Sequence, residues 1–258
     1  MCGACMEACP EDAIIMEYQT PTSASVKSEF SHSKVITDGQ KCTRCQACIS
    51  ACYSGARQFS GHEVTVSEVM EQIKREIPFY DESGGGVTFS GGEPLMQPTF
   101  LSALLRACRR QEIHTVVDTS GFANWNIFEQ IRRDVDLFLY DLKHMDSELH
   151  REATGVSNEI ILSNLRELAE RGHHILVRIP LIPGINDDDH NFHRSGAFLA
   201  SLPELEGVEL MGYHNIAQAK YEALSREYKL TDTKAPAKEA MLHAAEILRS
   251  YNLNVTLR

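Results

Sequence analysis

The sequence predicts an α/β protein built on a parallel sheet and preceded by a small cysteine-rich domain. Two observations carry this. From Glu63 onward, short apolar runs alternate with amphipathic helical patterns, the texture of repeated strand–helix units. Before that point, seven of the eight cysteines crowd into the first 52 residues. A chain of 258 residues suffices for one large core or two smaller ones. The boundary is drawn so that residues 1–62 form the first domain and 63–258 the second. Alternation alone leaves open whether the sheet is open or closed into a barrel.

The elements follow in order. Residues 1–62 hold two cysteine runs joined by a polar, Ser/Thr-rich stretch at 19–41. A helix is predicted over 67–79. It starts at the capping signal Thr65-Val-Ser-Glu68 and carries an apolar stripe of Val66, Val69, Met70, Ile73 and Ile77. Buried strands are predicted at 87–90, 115–118, 137–142, 175–182 and 208–213. Helices are predicted between and after them, at 97–111, 124–133, 158–171, 188–201 and 236–250.

Composition excludes several function classes. The net charge of −11, from 25 Lys+Arg against 36 Asp+Glu, argues against general nucleic-acid affinity. No stretch approaches the about 18 apolar residues of a membrane helix, and the N-terminus has no apolar secretory region. The chain is therefore expected in the cytoplasm, without membrane attachment.

Seven clustered cysteines in such a chain point to metal ligation rather than disulfides. The second run, Cys42-x2-Cys45-x2-Cys48-x3-Cys52, has the spacing of a bacterial ferredoxin. There, three cysteines hold one 4Fe–4S cluster and the fourth reaches across to another. The first run, Cys2-x2-Cys5-x3-Cys9-Pro10, is the same pattern without its leading cysteine. Crossed ligation then groups Cys42, Cys45, Cys48 and Cys9 around one cluster. It leaves Cys2, Cys5 and Cys52 one ligand short for a second. Tyr53 stands where Pro10 stands in the first run. A structural zinc site is the other reading, although zinc usually takes two two-cysteine hooks.

Parallel α/β folds collect their chemistry at the carboxyl ends of strands. The first strand runs into Gly91-Gly92-Glu93-Pro94, where paired glycines admit a ligand to the backbone or simply make a tight turn. The second ends in Asp118-Thr119-Ser120-Gly121 and the third in Asp141-Leu142-Lys143. Asp141 and Lys143 share one strand face, so the pair suits a zwitterionic or ribose-bearing ligand, or equally a structural ion pair. Arg178 lies in the fourth strand, and His214 follows the fifth. Singly, each has a structural explanation; five successive strand ends carrying glycine, acid, acid–base pair, arginine and histidine point to a site. Asp187-Asp188-Asp189 reads as an acidic helix N-terminus. His173-His174 and His190/His193 lack evident metal partners, Arg109-Arg110 and Arg132-Arg133 read as solvated faces, and Cys108 as buried and inert.

In series, these motifs resemble the glycyl-radical-enzyme activating enzymes. These are radical S-adenosylmethionine (SAM) proteins related to the pyruvate formate-lyase activating enzyme. The resemblance is carried by Ser83-Gly-Gly-Gly-Val-Thr-Phe-Ser-Gly-Gly-Glu-Pro94, Ile113-His-Thr through Asp118-Thr-Ser-Gly121, Asp141-Leu-Lys143, Ile182-Pro-Gly-Ile185 and Tyr213-His214. It covers nearly the whole chain. It implies a partial (βα)6-type radical SAM barrel lacking its first strand, with a small N-terminal bacterial-ferredoxin-like domain. It implies 4Fe–4S clusters and SAM as cofactors. Gly91, Gly92 and Glu93 would line the methionine amino group of SAM. Asp141, Lys143 and His214 would hold its carboxylate, ribose or adenine side, Arg178 would be a further contact, and Asp118 would help bind a monovalent cation. The implied activity is reductive cleavage of SAM to methionine and a 5′-deoxyadenosyl radical. That radical would take a hydrogen atom from a backbone glycine of a partner glycyl radical enzyme, with flavodoxin or ferredoxin as electron donor, in an anaerobic setting.

The family's C-x3-C-x2-C motif for the radical cluster is not in these 258 residues, so no catalytic residue is assigned here. The missing motif, leading cysteine and first strand together predict a truncated or misplaced start, and a chain that is inactive as given. They also predict that strand 87–90 is an unprotected sheet edge. Two other functions fit parts of the pattern. One is a non-catalytic iron–sulfur electron carrier or binding module, and the other a radical SAM enzyme acting on a small molecule.

Overall fold

The computed structural model describes residues 2–18, 33–59, 61–223 and 226–258. Its elements run α1 (Ala4–Glu7), β1 (Ile14–Tyr18), β2 (Ser33–Thr37), α2 (Ala47–Ser50), α3 (Val66–Arg75), α4 (Ile77–Ser83), β3 (Gly86–Phe89), α5 (Pro98–Arg109), β4 (His114–Thr119), α6 (Trp125–Ile131), β5 (Leu137–Asp141), α7 (Ser147–Thr154), α8 (Glu159–Glu170), β6 (Ile175–Leu181), α9 (Asp189–Ala200), β7 (Gly207–Gly212), α10 (Ala217–Ala223), α11 (Lys238–Arg249) and β8 (Val255–Leu257). The chain divides into two compact units. One comprises Met1–Glu63 with Ile216–Thr231, the other Val64–Asn215 with Asp232–Arg258. Of the polar stretch 19–41, residues 19–32 lie outside the described residues.

The first unit contains an internal repeat. α1 follows Gly3 at φ 77°, and α2 follows Gln46 at φ 70°. Both are single turns closed by equivalent bonds: Met6 N–H donates to Gly3 O at 2.8 Å, and Ile49 N–H to Gln46 O at 2.9 Å. Further on, Asp12 (φ 47°) donates back to Cys9 O and Gly55 (φ 65°) to Cys52 O. The two cysteine runs thus fold alike, residue for residue, with the spacing setting the turns. β1 and β2 pair antiparallel from Ile14↔Thr37 to Tyr18↔Ser33.

In the second unit, six parallel strands lie in the order β3-β4-β5-β6-β7-β8. Each strand pairs with its successor in sequence, which is barrel-type winding; a doubly wound sheet would reverse its order midway. β3 and β8 are the edges, as expected of the strand at 87–90. On one face of the sheet Val117, Phe138, Tyr140, Ile175, Val177 and Ile179 are buried in the main core. Complete burial of one such side chain is worth about 1.5–3 kcal/mol. The alternating residues Asp118, Asp141 and Arg178 face the other side and are only half-buried. Parallel sheets usually bury both faces; the polar set on the second face marks the site.

Differences from the predicted elements have local causes. The helix predicted at 67–79 breaks at Glu76, because Pro78 occupies the start of α4 and cannot continue the preceding ladder. The predicted capping box is formed by Thr65 and Glu68. α7, capped by Asp146, and the three-residue β8 were not predicted. Arg132 is not on a solvated face: its side chain is 12% exposed, paired with Glu129 and in contact with His173. Cys108 is fully buried, with burial pushing its thiol up to about 11. Among the described residues, no helix is long and apolar enough to cross a membrane.

Candidate functional site

The loops at the carboxyl ends of β3 and β4 are joined through one side chain. Glu93 Oε1 accepts from Thr119 Oγ1 at 2.7 Å and from the Leu95 backbone N–H at 3.2 Å. Its Oε2 accepts from the Ser120 hydroxyl at 2.6 Å and backbone N–H at 2.9 Å. Glu93 therefore spends its carboxylate on positioning the two loops. Gly91 (φ 121°) and Gly92 are exposed, and a Cβ on either would meet nothing within 4 Å. Their backbone stays open to a ligand.

Asp118 in β4 and Arg178 in β6 form an ion pair, Nη1 to Oδ1 at 2.8 Å, with side-chain exposures of 23% and 20%. Ser90 at the end of β3 donates to Asp118 Oδ2 at 3.0 Å. On its other side, Arg178 lies 3.6 Å from Glu209 Oε2 and donates to Met211 Sδ at 3.2 and 3.3 Å. Glu209 is in turn held by Arg258 at 3.0 Å. Asp141 sits in register with Arg178. Its carboxylate instead pairs with Lys143, Nζ to Oδ2 at 2.9 Å, while Leu142 is buried on the opposite side.

Lys143 sits on a loop fixed by two buried asparagines. Asn186 Nδ2 donates to Lys143 O at 2.8 Å and to Pro180 O at 2.6 Å. Asn191 Oδ1 accepts from Met145 N–H, and its Nδ2 donates to Asn186 O. His214 follows β7, exposed, with no hydrogen bond or ion pair to another described residue. The structure thus ties Glu93, Asp118, Arg178, Asp141 and Lys143 into bonded sets at one end of the sheet and, among the described residues, gives His214 no such partner. Sequence reasoning missed Ser90, Glu209, Met211, Asn186 and Asn191. For Glu209 a signal existed, a carboxylate inside an apolar strand. For Asn186 it was the asparagine closing Pro183-Gly-Ile-Asn186.

In the first unit, a cavity of about 850 Å³ is lined by Cys9, Cys42, Cys45 and Cys48. Ala13 N–H donates to Cys9 Sγ at 3.3 Å, the kind of bond that favours a thiolate. Cys2, Cys5 and Cys52 do not line it. The Cys52 thiol is lowered from its usual range, chiefly by its hydrogen bond with Ser54. Among the described residues, no three His, Cys, Asp or Glu converge closely enough to hold a single metal ion. Four thiols around one cavity suit a cluster, which spreads its ligands over several irons.

Comparison with known proteins decides the family. The Radical SAM superfamily model matches residues 40–195, and the 4Fe-4S dicluster domain model matches residues 1–62. The choline trimethylamine-lyase activating enzyme of Oleidesulfovibrio alaskensis is 36% identical over 99% of this chain and 80% of its own. The chain belongs to the glycyl-radical-enzyme activating enzymes. The trans-4-hydroxy-L-proline dehydratase activating enzyme of Clostridioides difficile is 35% identical over 90% of this chain and 87% of its own. The pyruvate formate-lyase 1-activating enzyme of Escherichia coli is 38% identical over 76% and 80%. A solved domain of the pyruvate-formate lyase-activating enzyme of Bacteroides vulgatus is 38% identical, with TM-score 0.58 over 67% of this chain and 99% of its own. The fold is that of these activating enzymes, a radical SAM α/β sheet with a 4Fe–4S domain at the N-terminus. Iron–sulfur clusters and SAM are the cofactors that the two domain types imply.

Proposed function

We propose that the protein activates a glycyl radical enzyme, acting in the cytoplasm on a partner that presents a backbone glycine. The observation that carries this is the polar set on the half-buried face of the sheet, in a chain whose relatives activate several different glycyl radical enzymes. The set fits SAM. Gly91 and Gly92 offer open backbone to the methionine amino group, and the Asp141–Lys143 pair offers both charges to a zwitterion. Glu93 holds the glycine loop against the end of β4, and Arg178 and Asp118 stand as a neutral pair beside it. His214, exposed in the chain that follows β7, is assigned to the adenosine side. Cys9, Cys42, Cys45 and Cys48 are assigned to one 4Fe–4S cluster, and Cys2, Cys5 and Cys52 to a second. With a further cluster held by the family's C-x3-C-x2-C motif, which is not among these residues, the bound cofactors would supply one-electron cleavage of SAM and, through it, hydrogen-atom abstraction from the glycine.

The C-x3-C-x2-C triplet is not in these residues, so we assign this 258-residue chain SAM binding without SAM cleavage. The test is anaerobic reconstitution with iron and sulfide, reduction, and chromatography for 5′-deoxyadenosine. SAM retained without 5′-deoxyadenosine supports this assignment; product formation overturns it. The four-thiol cavity favours one further reading, an electron carrier that needs no triplet. Cluster loading with no measurable SAM affinity selects it.

A further inference from the structure

We propose that the mouth of the cysteine cavity is a docking surface for an acidic protein that donates single electrons. This rests on the reading of that cavity as an iron–sulfur site. The chain carries a net charge of −11, yet Lys34, Arg44, Arg57 and Lys220 all line this one cavity, against Glu11 as its carboxylate. Lys34, Arg44 and Lys220 are exposed. None of the four forms an ion pair among the described residues. In the other unit Arg109, Arg132, Lys143, Arg171, Arg178 and Arg258 have carboxylate partners, while the exposed Lys74, Arg75, Arg110 and Arg133 form no ion pair among the described residues. What sets Lys34, Arg44, Arg57 and Lys220 apart is that they converge on one cysteine-lined cavity. Arg57 is half-buried and fastened to the Thr37 hydroxyl, a fixed charge at the base of the group.

Exposed cations without internal partners retain their field for an incoming molecule. Such a patch raises the encounter rate with an acidic protein about 10–1,000-fold over the uncharged case. The electron has a short way in. Cys45, the exposed thiol of the four, is the next residue after Arg44. In the step proposed, the donor's reduced cofactor loses one electron and the cluster held by the cysteines gains it. No bond forms or breaks.

The experiment uses the full chain, reconstituted anaerobically, with iron content measured first. Reduction of the cluster is followed by stopped-flow absorbance with reduced flavodoxin, and separately with a photoreduced, uncharged deazaflavin. With flavodoxin the rate is expected to fall at least about tenfold as ionic strength rises to about 1 M, where the Debye length is about 3 Å. Lys34→Glu, Arg44→Glu and Lys220→Glu, combined, are expected to lower it similarly at low salt and to flatten the salt dependence. The midpoint potential is measured alongside, because reversing charges beside a cluster lowers it; the deazaflavin rate is expected to fall by far less than the flavodoxin rate. Equal slowing with both donors would mean that the cations only tune the cluster, and would overturn the proposal. So would a flavodoxin rate indifferent to salt and to charge reversal. A chain that binds no iron overturns the cluster reading itself, and docking with it; a loaded cluster without salt dependence overturns docking alone.

Discussion

Arg178 in β6 bypasses Asp141, its register neighbour in β5, and pairs with Asp118 in β4 at 2.8 Å. The choice follows from Lys143, which already occupies the Asp141 carboxylate at 2.9 Å. Two ion pairs thus lie side by side, each neutral overall and each half-buried. Removing one partner leaves the other charge unpaired at a desolvated site, which costs more than the pair itself contributes. Arg178→Ala is expected to lower folding stability by about 2 kcal/mol, since Glu209 keeps Arg258 but Asp118 keeps only Ser90. SAM affinity, measured by calorimetry, is expected to fall about tenfold or more. Unchanged affinity would remove Arg178 from the ligand-binding set.

Glu93 accepts four hydrogen bonds through two oxygens, three of them from Thr119 and Ser120. Net worth per bond is about 1 kcal/mol, more to a charged acceptor. Glu93→Ala is expected to lose about 2–3 kcal/mol in urea unfolding and to weaken SAM binding through displaced loops. Glu93→Gln keeps the shape and half the acceptors, and is expected to fall between. If Glu93→Ala loses affinity at unchanged stability, Glu93 touches the ligand directly.

How far the sequence could be read depended on the kind of signal. The apolar runs at 115–118 and 175–182 lie within β4 and β6 to within a residue or so, because buried parallel strands are continuously apolar. β8 has three residues and no periodicity, and its pairing with β7 depends on contacts distant in sequence. The candidate site residues could be listed in advance, because all but Arg178, which lies mid-strand in β6, sit at or just beyond strand ends. Their partners could not: nothing local says that Arg178 selects Asp118 over Asp141, or that Asn186 braces the Lys143 loop. The equivalence of Gly3 and Gln46 was equally hidden, since glutamine gives no hint of a left-handed conformation.

His144, 5% exposed, is expected to make the fold acid-sensitive. Burial is the largest cause holding its pKa below the usual histidine range. Its Nδ1 accepts from Asp146 N–H at 2.9 Å, so protonation would set two donors against each other. Because the folded pKa is depressed, the unfolded chain takes the proton first. Stability is then full above about pH 6.5 and declines as pH falls through and below that value. His173, lowered mainly by burial and then by Arg132, adds in the same direction. Unfolding free energies at descending pH are expected to show a shallower slope in His144→Asn. An unchanged slope would assign the acid sensitivity elsewhere.

Cysteine reactivity separates the ligand set from the core. In metal-free chain, iodoacetamide is expected to modify Cys52 early, because Ser54 lowers its thiol. Cys108, fully buried with a thiol near 11, is expected to react only on unfolding. Cys9→Ser is expected to reduce iron content on reconstitution, whereas Cys108→Ser is not. Equal iron in both variants would separate Cys9 from the cluster that its cavity suggests.

Gly121 links the candidate site to the core. It sits at φ 74°, and a Cβ there would lie 1.9 Å from the Tyr140 hydroxyl. Tyr140 cannot withdraw freely: it is fully buried, and its hydroxyl donates to Ile161 O at 2.7 Å. Asn164 further pins this loop by donating to Gly121 O and Ala123 O. Gly121→Ala therefore combines backbone strain with overpacking, each about 1–3 kcal/mol. Its expected outcome is a loss of at least about 2 kcal/mol in urea unfolding. A Cβ would also lie 2.1 Å from Tyr140 Cζ and 2.7 Å from Cε1, so Tyr140→Phe would not relieve the clash, whereas Tyr140→Ala removes all three atoms. Gly121→Ala is therefore expected to cost less in a Tyr140→Ala background than in the native one. An equal cost in both backgrounds would place the whole loss in the backbone conformation at residue 121, and none in the packing beneath the loop.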